Sequence, residues 1–117
     1  MLKLNHKRLE VWSLSLDFIK VIYSVTQSFP KNEMFGLTSQ MKRAAVSVTS
    51  NLSEGSSRIS RLERKRFFEI SRSSLVEIDT QLEIAHRLGY LTEQNLNNLN
   101  EMINKLFAKL TNLILKT

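Results

Sequence analysis

Cysteine is absent from the 117 residues, which excludes a disulfide framework and a thiolate metal site. A reducing cytoplasm is the expected compartment. Proline occurs once and glycine three times. A β-rich chain needs a turn about every 8–12 residues, so this scarcity of turn-formers leaves long helices joined by short connections. No apolar run reaches the roughly 18 residues of a membrane span, and Met1–Arg8 has no apolar segment followed by a small-residue cleavage site. No membrane partner is expected. Catalytic patterns are missing as well. Neither His6 nor His86 stands in an H-E-x-x-H or H-x-x-x-H pattern. The serines lack a G-x-S-x-G context, and Glu54-Gly-Ser-Ser57 is too short for a phosphate loop. The expectation is a protein that is not an enzyme, with no catalytic residue, no metal and no cofactor. A cluster of Gln40, Asn51 and Glu54 around a deep pocket would reopen the question.

What remains is an apolar fraction of 42% and a charged fraction of 24%, the composition of one soluble globular domain spanning residues 1–117. Lys and Arg number 17 against 11 acids, a net charge of +6 with a pI near 9.9. Such a surplus favours polyanionic partners, nucleic acid first, although it equally keeps a chain with no polyanionic partner in solution.

Four helices are predicted, over about 9–28, 38–54, 60–88 and 92–115. The first stops before Phe29-Pro30, because the residue preceding proline is pushed out of the helical region. Thr38 is the candidate N-cap of the second. Ser60 with Glu63 forms a capping box for the third, which Gly89 closes in a left-handed conformation. The connections are short, so neighbours run antiparallel in an up-down-up-down four-helix bundle, an all-α fold.

The fourth helix carries the seam Leu96, Leu99, Ile103, Leu106, Leu110 and Leu113 at spacings of three and four. On the second, Leu37, Met41, Ala45, Val48 and Leu52 face inward, and small residues (Ala44, Ala45, Ser47, Ser50, Ser53) permit close approach of another backbone. Gln40, Arg43, Ser47, Asn51 and Glu54 form a polar stripe. Glu54 faces the negative end of its own helix dipole and calls for a cationic partner, either Arg43 or an arginine of the following loop. The core side of the third helix is Phe67, Ser71, Ser74, Leu75, Ile78, Leu82 and Ala85. The first helix has two apolar stripes. One is Val11, Leu14, Phe18, Ile22 and Val25; the other is Leu9, Trp12, Leu16, Ile19 and Tyr23. Two stripes suit two partners, and the second stripe is the expected interface with another copy of the chain; deep burial within its own bundle is the alternative.

Between Arg58 and Arg72 stand six cations (Arg58, Arg61, Arg64, Lys65, Arg66, Arg72) and two acids. Arg61, Lys65 and Arg72 share one face of the third helix, followed on that face by Asp79 and Glu83. Cations at a helix N-terminus and acids toward its C-terminus oppose the macrodipole. Three readings fit: arginines for phosphate, a basic half meeting the acidic half of a neighbouring subunit, or a solvated face. With Lys42 and Arg43 added, these residues form the candidate nucleic-acid surface. No aromatic is interleaved on the basic face itself, so base stacking is not expected.

The segments Leu9-Glu-Val-Trp12, Phe29-Pro-Lys31, Phe35-Gly-Leu-Thr-Ser-Gln40, Arg43-Ala-Ala-Val-Ser47, Ser50-Asn-Leu-Ser-Glu-Gly55, Glu77-Ile-Asp-Thr-Gln-Leu82 and Ala85-His-Arg-Leu-Gly-Tyr90 occur in this order. Together they resemble the four-helix bundle proteins encoded in 23S rRNA intervening sequences, a family similar to the accessory variability proteins of diversity-generating retroelements. The resemblance spans Leu9 to Leu91. It implies a homo-oligomer assembled as a pentameric ring, a basic surface for RNA or DNA, a nucleic-acid-processing protein as a further partner, and no enzymatic activity. Departures from the family pattern are Thr49 in place of proline, Ser53 in place of alanine and Ser73 in place of glycine. Thr49 removes the kink a proline brings to the second helix.

Overall fold

Ser60 and Thr92 start their helices by one device. The Ser60 hydroxyl accepts from the Glu63 N–H at 3.3 Å and the Thr92 hydroxyl from the Asn95 N–H at 3.1 Å, satisfying donors that have no partner within the helix. The computed structural model of the chain describes all 117 residues, in four α-helices: α1 (Glu10–Thr26), α2 (Leu37–Ser56), α3 (Arg61–Arg87) and α4 (Glu93–Lys116). Short 3₁₀ turns lie at Asn5–Arg8 and Lys31–Glu33. Gly89 ends α3 at φ +77°, and the Tyr90 N–H returns to the Ala85 carbonyl at 2.9 Å, a left-handed helix stop.

The start of α2 differs from expectation. Gly36 precedes its first residue, and Thr38 is buried within the first turn without capping it. The orphan Leu37 N–H goes instead to Glu33 Oε1 at 3.3 Å, while Glu33 Oε2 accepts from the Tyr90 hydroxyl at 2.9 Å. One carboxylate thus fastens the α3–α4 corner to the head of α2. The far end of α2 runs on to Ser56, and its course past Thr49 is unbroken.

Cross-helix contacts fix the directions. Between α1 and α2 they join Trp12 to Ser53, Ser15 to Thr49 and Tyr23 to Lys42. Between α2 and α3 they join Ser47 to Ser74, and Gly55 lies against Phe67 and Phe68. Between α3 and α4 they join Arg72 to Thr111 and His86 to Glu93. Lys109 reaches Glu10 at 3.1 Å, tying α4 to α1. In each pair with several contacts one residue number rises as the other falls, so sequence neighbours are antiparallel. The bundle measures 44 × 25 × 21 Å, and no helix is long and apolar enough to cross a membrane.

One cluster of 21 buried residues forms the core. It contains Val11, Phe18, Ile22 and Val25 of α1, Met41, Ala45, Val48 and Leu52 of α2, and Leu99, Ile103, Leu106 and Leu110 of α4. On α3 the expected side is buried except at its first residue. Phe68 takes the core position at 4% exposure, while Phe67 is half-buried against Gly55. Periodicity does not separate two adjacent phenylalanines; the close approach of α2 does. Hydroxyls fill the tight contacts. Thr49 bonds to Ser15 at 2.8 Å and Ser71 to the Val48 carbonyl at 2.7 Å, so these buried polar groups are satisfied.

Two predictions follow from the contacts of Gly55 and Tyr90. A Cβ at Gly55 would lie 2.8 Å from Phe67 Cβ and 2.9 Å from Phe68 Cε1. Gly55→Ala should therefore lower stability by about 1–3 kcal/mol despite alanine's better helix propensity, read by urea titration. The Glu33 hydrogen bond, burial and the Glu33 charge all raise the Tyr90 pKa above 10.0. The neutral phenol is the form the fold favours, so its contribution is complete below pH 10.0 and fades as pH climbs through the raised value. The stability gap between wild type and Tyr90→Phe should shrink above pH 10.0 and stay constant below it.

Candidate nucleic-acid interface

Antiparallel packing brings the start of α1, the end of α2, the start of α3 and the end of α4 to one end of the bundle. The segments there are residues 1–10, 54–69 and 107–117. They hold ten of the 17 cations and four of the 11 acids, a surplus equal to the whole net charge of +6; the rest of the chain balances, seven against seven. The excess positive charge of the molecule is therefore confined to about a third of its length.

Within that end, the cations of α3 and of the turn before it find acceptors on neighbouring segments. Arg58 pairs with Glu54 at 3.3 Å, and its guanidinium lies 4.9 Å from the centre of the Phe67 ring. Glu54 has thus found the loop arginine and not Arg43. Arg61 Nε donates to the backbone carbonyl of Thr117 at the close of α4. Arg64 Nη1 donates to the carbonyls of Arg58 and Ile59, at 3.2 and 2.6 Å, holding the α2–α3 turn. Arg61, which opposes its own helix dipole, is thus placed against the carbonyl end of α4, while the acceptors of Arg64 lie in the turn beyond α2. Lys65 and Arg66 are exposed and make no hydrogen bond or ion pair within the chain.

The other expected contacts fall elsewhere. Arg72 is half-buried, bonded to Thr111 Oγ1 at 3.1 Å and stacked 5.5 Å from the Phe107 ring centre. Lys42 sits 4.7 Å over the Tyr23 ring. Arg43 is exposed in a shallow depression with Gln40, Ser47 and Glu77. About 22 Å of helix separates Arg43 from Arg58, at 1.5 Å per residue, so Lys42 and Arg43 do not join the basic end. Lys3, Lys7, Arg8, Lys109 and Lys116 do join it, and sequence reasoning missed them. Counting charge at the end of each antiparallel helix, instead of along the chain, would have found them.

The second stripe of α1 is partly taken up by the bundle. Leu9, Trp12 and Ile19 are half-buried against the core. Trp12 Nε1 donates to Ser53 Oγ at 3.0 Å, and the ring meets His6 edge-on at 5.6 Å. Leu16 and Tyr23 stay exposed. Gln40 and Glu54 line separate depressions; that of Glu54 holds about 410 Å³ among His6, Thr49, Ser50 and Ser53. Asn51 lines neither and is bonded to Ser47. The three polar residues of α2 therefore do not converge on one pocket. No group of three His, Asp or Glu side chains could hold a metal ion.

A family model described as "23S rRNA-intervening sequence protein" matches residues 7–112. Among solved structures, a protein of unknown function from the S23 ribosomal protein family of Bacteroides thetaiotaomicron VPI-5482 superposes with a TM-score of 0.79 at 22% identity, covering 89% of this chain and 97% of that one. The two share the fold. No curated protein matches.

The geometry separates arginines that hold the fold from cations that do not. Arg64→Ala should reduce stability by about 1–3 kcal/mol, the scale of a lost charged hydrogen-bond pair. Lys65→Ala and Arg66→Ala should stay within about 0.5 kcal/mol of wild type. All three remove one positive charge, so urea titration isolates the role of the two loop carbonyls.

Proposed function

Because the chain belongs to the 23S rRNA-intervening sequence protein family, we propose that it is a non-enzymatic, homo-oligomeric module that binds nucleic acid, RNA foremost, through the phosphate backbone. The observation that carries this reading is the gathering of the entire +6 surplus at one end of the bundle. Phosphate binding gains from clustered cations because each contact releases condensed counterions. Lys65 and Arg66 are the first contacts, being free of other bonds, with Arg61 and Arg58 offering the unused edges of their guanidinium groups. Arg64 positions the turn that carries Arg58. Trp12 and Phe67 are half-buried and Phe107, 40% exposed, already stacks with Arg72, so no row of free aromatic rings accompanies the charge, and sequence preference is weak. The ring of five implied by the family resemblance would set five basic ends side by side and raise affinity by multivalency.

A second reading is a scaffold whose basic end mediates contacts between subunits or with a partner protein, such as a nucleic-acid-processing enzyme. Ile59 and Leu62, 96% and 79% exposed among the arginines, favour it, since phosphates have no use for aliphatic side chains.

Titration of a fluorescent single-stranded RNA against salt distinguishes the two. With three to five phosphate contacts per chain, log K should fall against log salt with a slope of about −2 to −4. A flat slope, or no binding at low salt, sinks the nucleic-acid reading. Replacing Arg61, Lys65 and Arg66 together by Glu should abolish binding with helical content unchanged. Should the same variant keep its RNA affinity and instead change mass in light scattering, the scaffold reading replaces it.

A further inference from the structure

The end of α2 and the N-terminal segment form a depression of about 410 Å³ that phosphate binding leaves unused. Clefts of about 300–1,000 Å³ hold small molecules, and this one opens at the basic end of the bundle, where Arg58 reaches Glu54 on its rim. Its lining is polar apart from Leu4. Two of its hydroxyls are committed: Thr49 donates to Ser15 at 2.8 Å and Ser57 to the Glu54 carbonyl at 2.8 Å. The other two are free to donate. Ser50 makes no bond within the chain, and Ser53 accepts from Trp12 at 3.0 Å and keeps its own proton. Glu54 gives one oxygen, Oε2, to Arg58 at 3.3 Å. A carboxylate has about four lone-pair positions, so most of its accepting capacity is unspent.

His6 makes this depression more than a gap between side chains. The residue is only 8% exposed and is held edge-on to Trp12 at 5.6 Å. Neither of its ring nitrogens is hydrogen-bonded within the chain. Neither is sealed off, because the one fully enclosed side-chain N or O atom without a partner is Gln81 Oε1. Buried polar groups are normally paired, so an imidazole drawn this far into the fold and left unbonded points to a partner from outside. Its nitrogens are free for a ligand in the depression that it lines.

We propose that the depression binds an unpaired guanine base, with Glu54 as its acceptor and Ser50, Ser53 and His6 as its donors. The inference rests on the nucleic-acid reading of the basic end and adds one base-reading position to it. Bases splayed out of single-stranded RNA are read by hydrogen bonds along their Watson–Crick edges. Guanine presents two adjacent N–H donors on that edge, N1–H and N2–H, which suit one carboxylate. Beside them is a carbonyl, O6, which suits a hydroxyl or an imidazole N–H. Adenine and cytosine set an acceptor nitrogen next to their amino group, and uracil sets a carbonyl on each side of its one N–H, so each turns lone pairs toward Glu54. Like charge also keeps phosphate out of the depression. The strand backbone stays on the cations beside it, Arg58 after Glu54 and Lys7 and Arg8 after His6.

Trp12 is the only tryptophan and its indole N–H is bonded to Ser53, so its fluorescence reports on the depression. Titration with GMP should change that fluorescence and saturate, whereas AMP, with the same ribose and phosphate, should bind at least tenfold more weakly. In an oligouridine of about twelve nucleotides, one central G should bind at least tenfold tighter than one central A. The salt slope should be the same for both strands, since a base contact releases no counterions. Glu54→Gln replaces an acceptor oxygen by a donor and should bring the two strands within twofold of each other. His6→Phe keeps a ring against Trp12 and should lower the preference at least threefold with the salt slope unchanged. Equal fluorescence response to GMP and AMP, equal affinity of bound G and A strands, or a preference that survives E54Q would each overturn the proposal. GMP-selective fluorescence without RNA binding at low salt would remove the phosphate reading and keep the guanine site; a steep salt slope without guanine preference would do the reverse.

Discussion

Gly55 leaves no room for a Cβ between α2 and the two phenylalanines of α3, and much of the architecture follows from that close approach. With the helices in near contact, the four residues between Ser56 and Arg61 suffice to reverse the chain. The contact continues up the pair through small groups, Ser47 on Ser74 and Ser71 on the Val48 carbonyl. Hydroxyls in such a seam are an asset only when bonded, since an unsatisfied buried one costs about 1–3 kcal/mol. Here each has a partner, and together they fix the register of α2 on α3 where interchangeable aliphatic side chains would leave it loose. Phe68 is driven into the core and Phe67 to its margin by the same geometry, which then supplies the ring on which Arg58 rests.

That register also explains how the molecule carries its charge. Cations at the start of α3 are unfavourable for α3 alone, yet the antiparallel fold places the carbonyl end of α4 beside Arg61, and the turn before α3 turns two carbonyls toward Arg64. Arg61 and Arg64 take backbone carbonyls as acceptors and keep their full charge, whereas Arg58 is neutralised by Glu54. These three arginines are therefore satisfied in hydrogen bonds, while Lys65 and Arg66 stay unpaired and the end keeps its surplus of positive charge. This is the condition in which a polyanion adds contacts without competing against ones already made.

The helices, their direction and most of the core were legible in the sequence, because heptad-like spacing, the Ser60 N-cap and Gly89 all pointed the same way; of the expected capping box only the Ser60 half formed, with no bond from Glu63 back to the Ser60 N–H. The start of α2 was not. Its cap is a carboxylate at Glu33 shared with Tyr90, 57 residues distant, and no local pattern announces such a contact. The second stripe of α1 was read correctly as apolar, but half of it packs against the molecule's own core, a distinction that depends on how far Trp12 leans toward Ser53. The basic site was only half visible. A run of six cations drew attention to Arg58–Arg72, while Lys3, Arg8, Lys109 and Lys116 belong to the same surface by topology alone. Within the run, wheel arithmetic placed Arg72 on the common face but could not reveal that Thr111 and Phe107 already hold it.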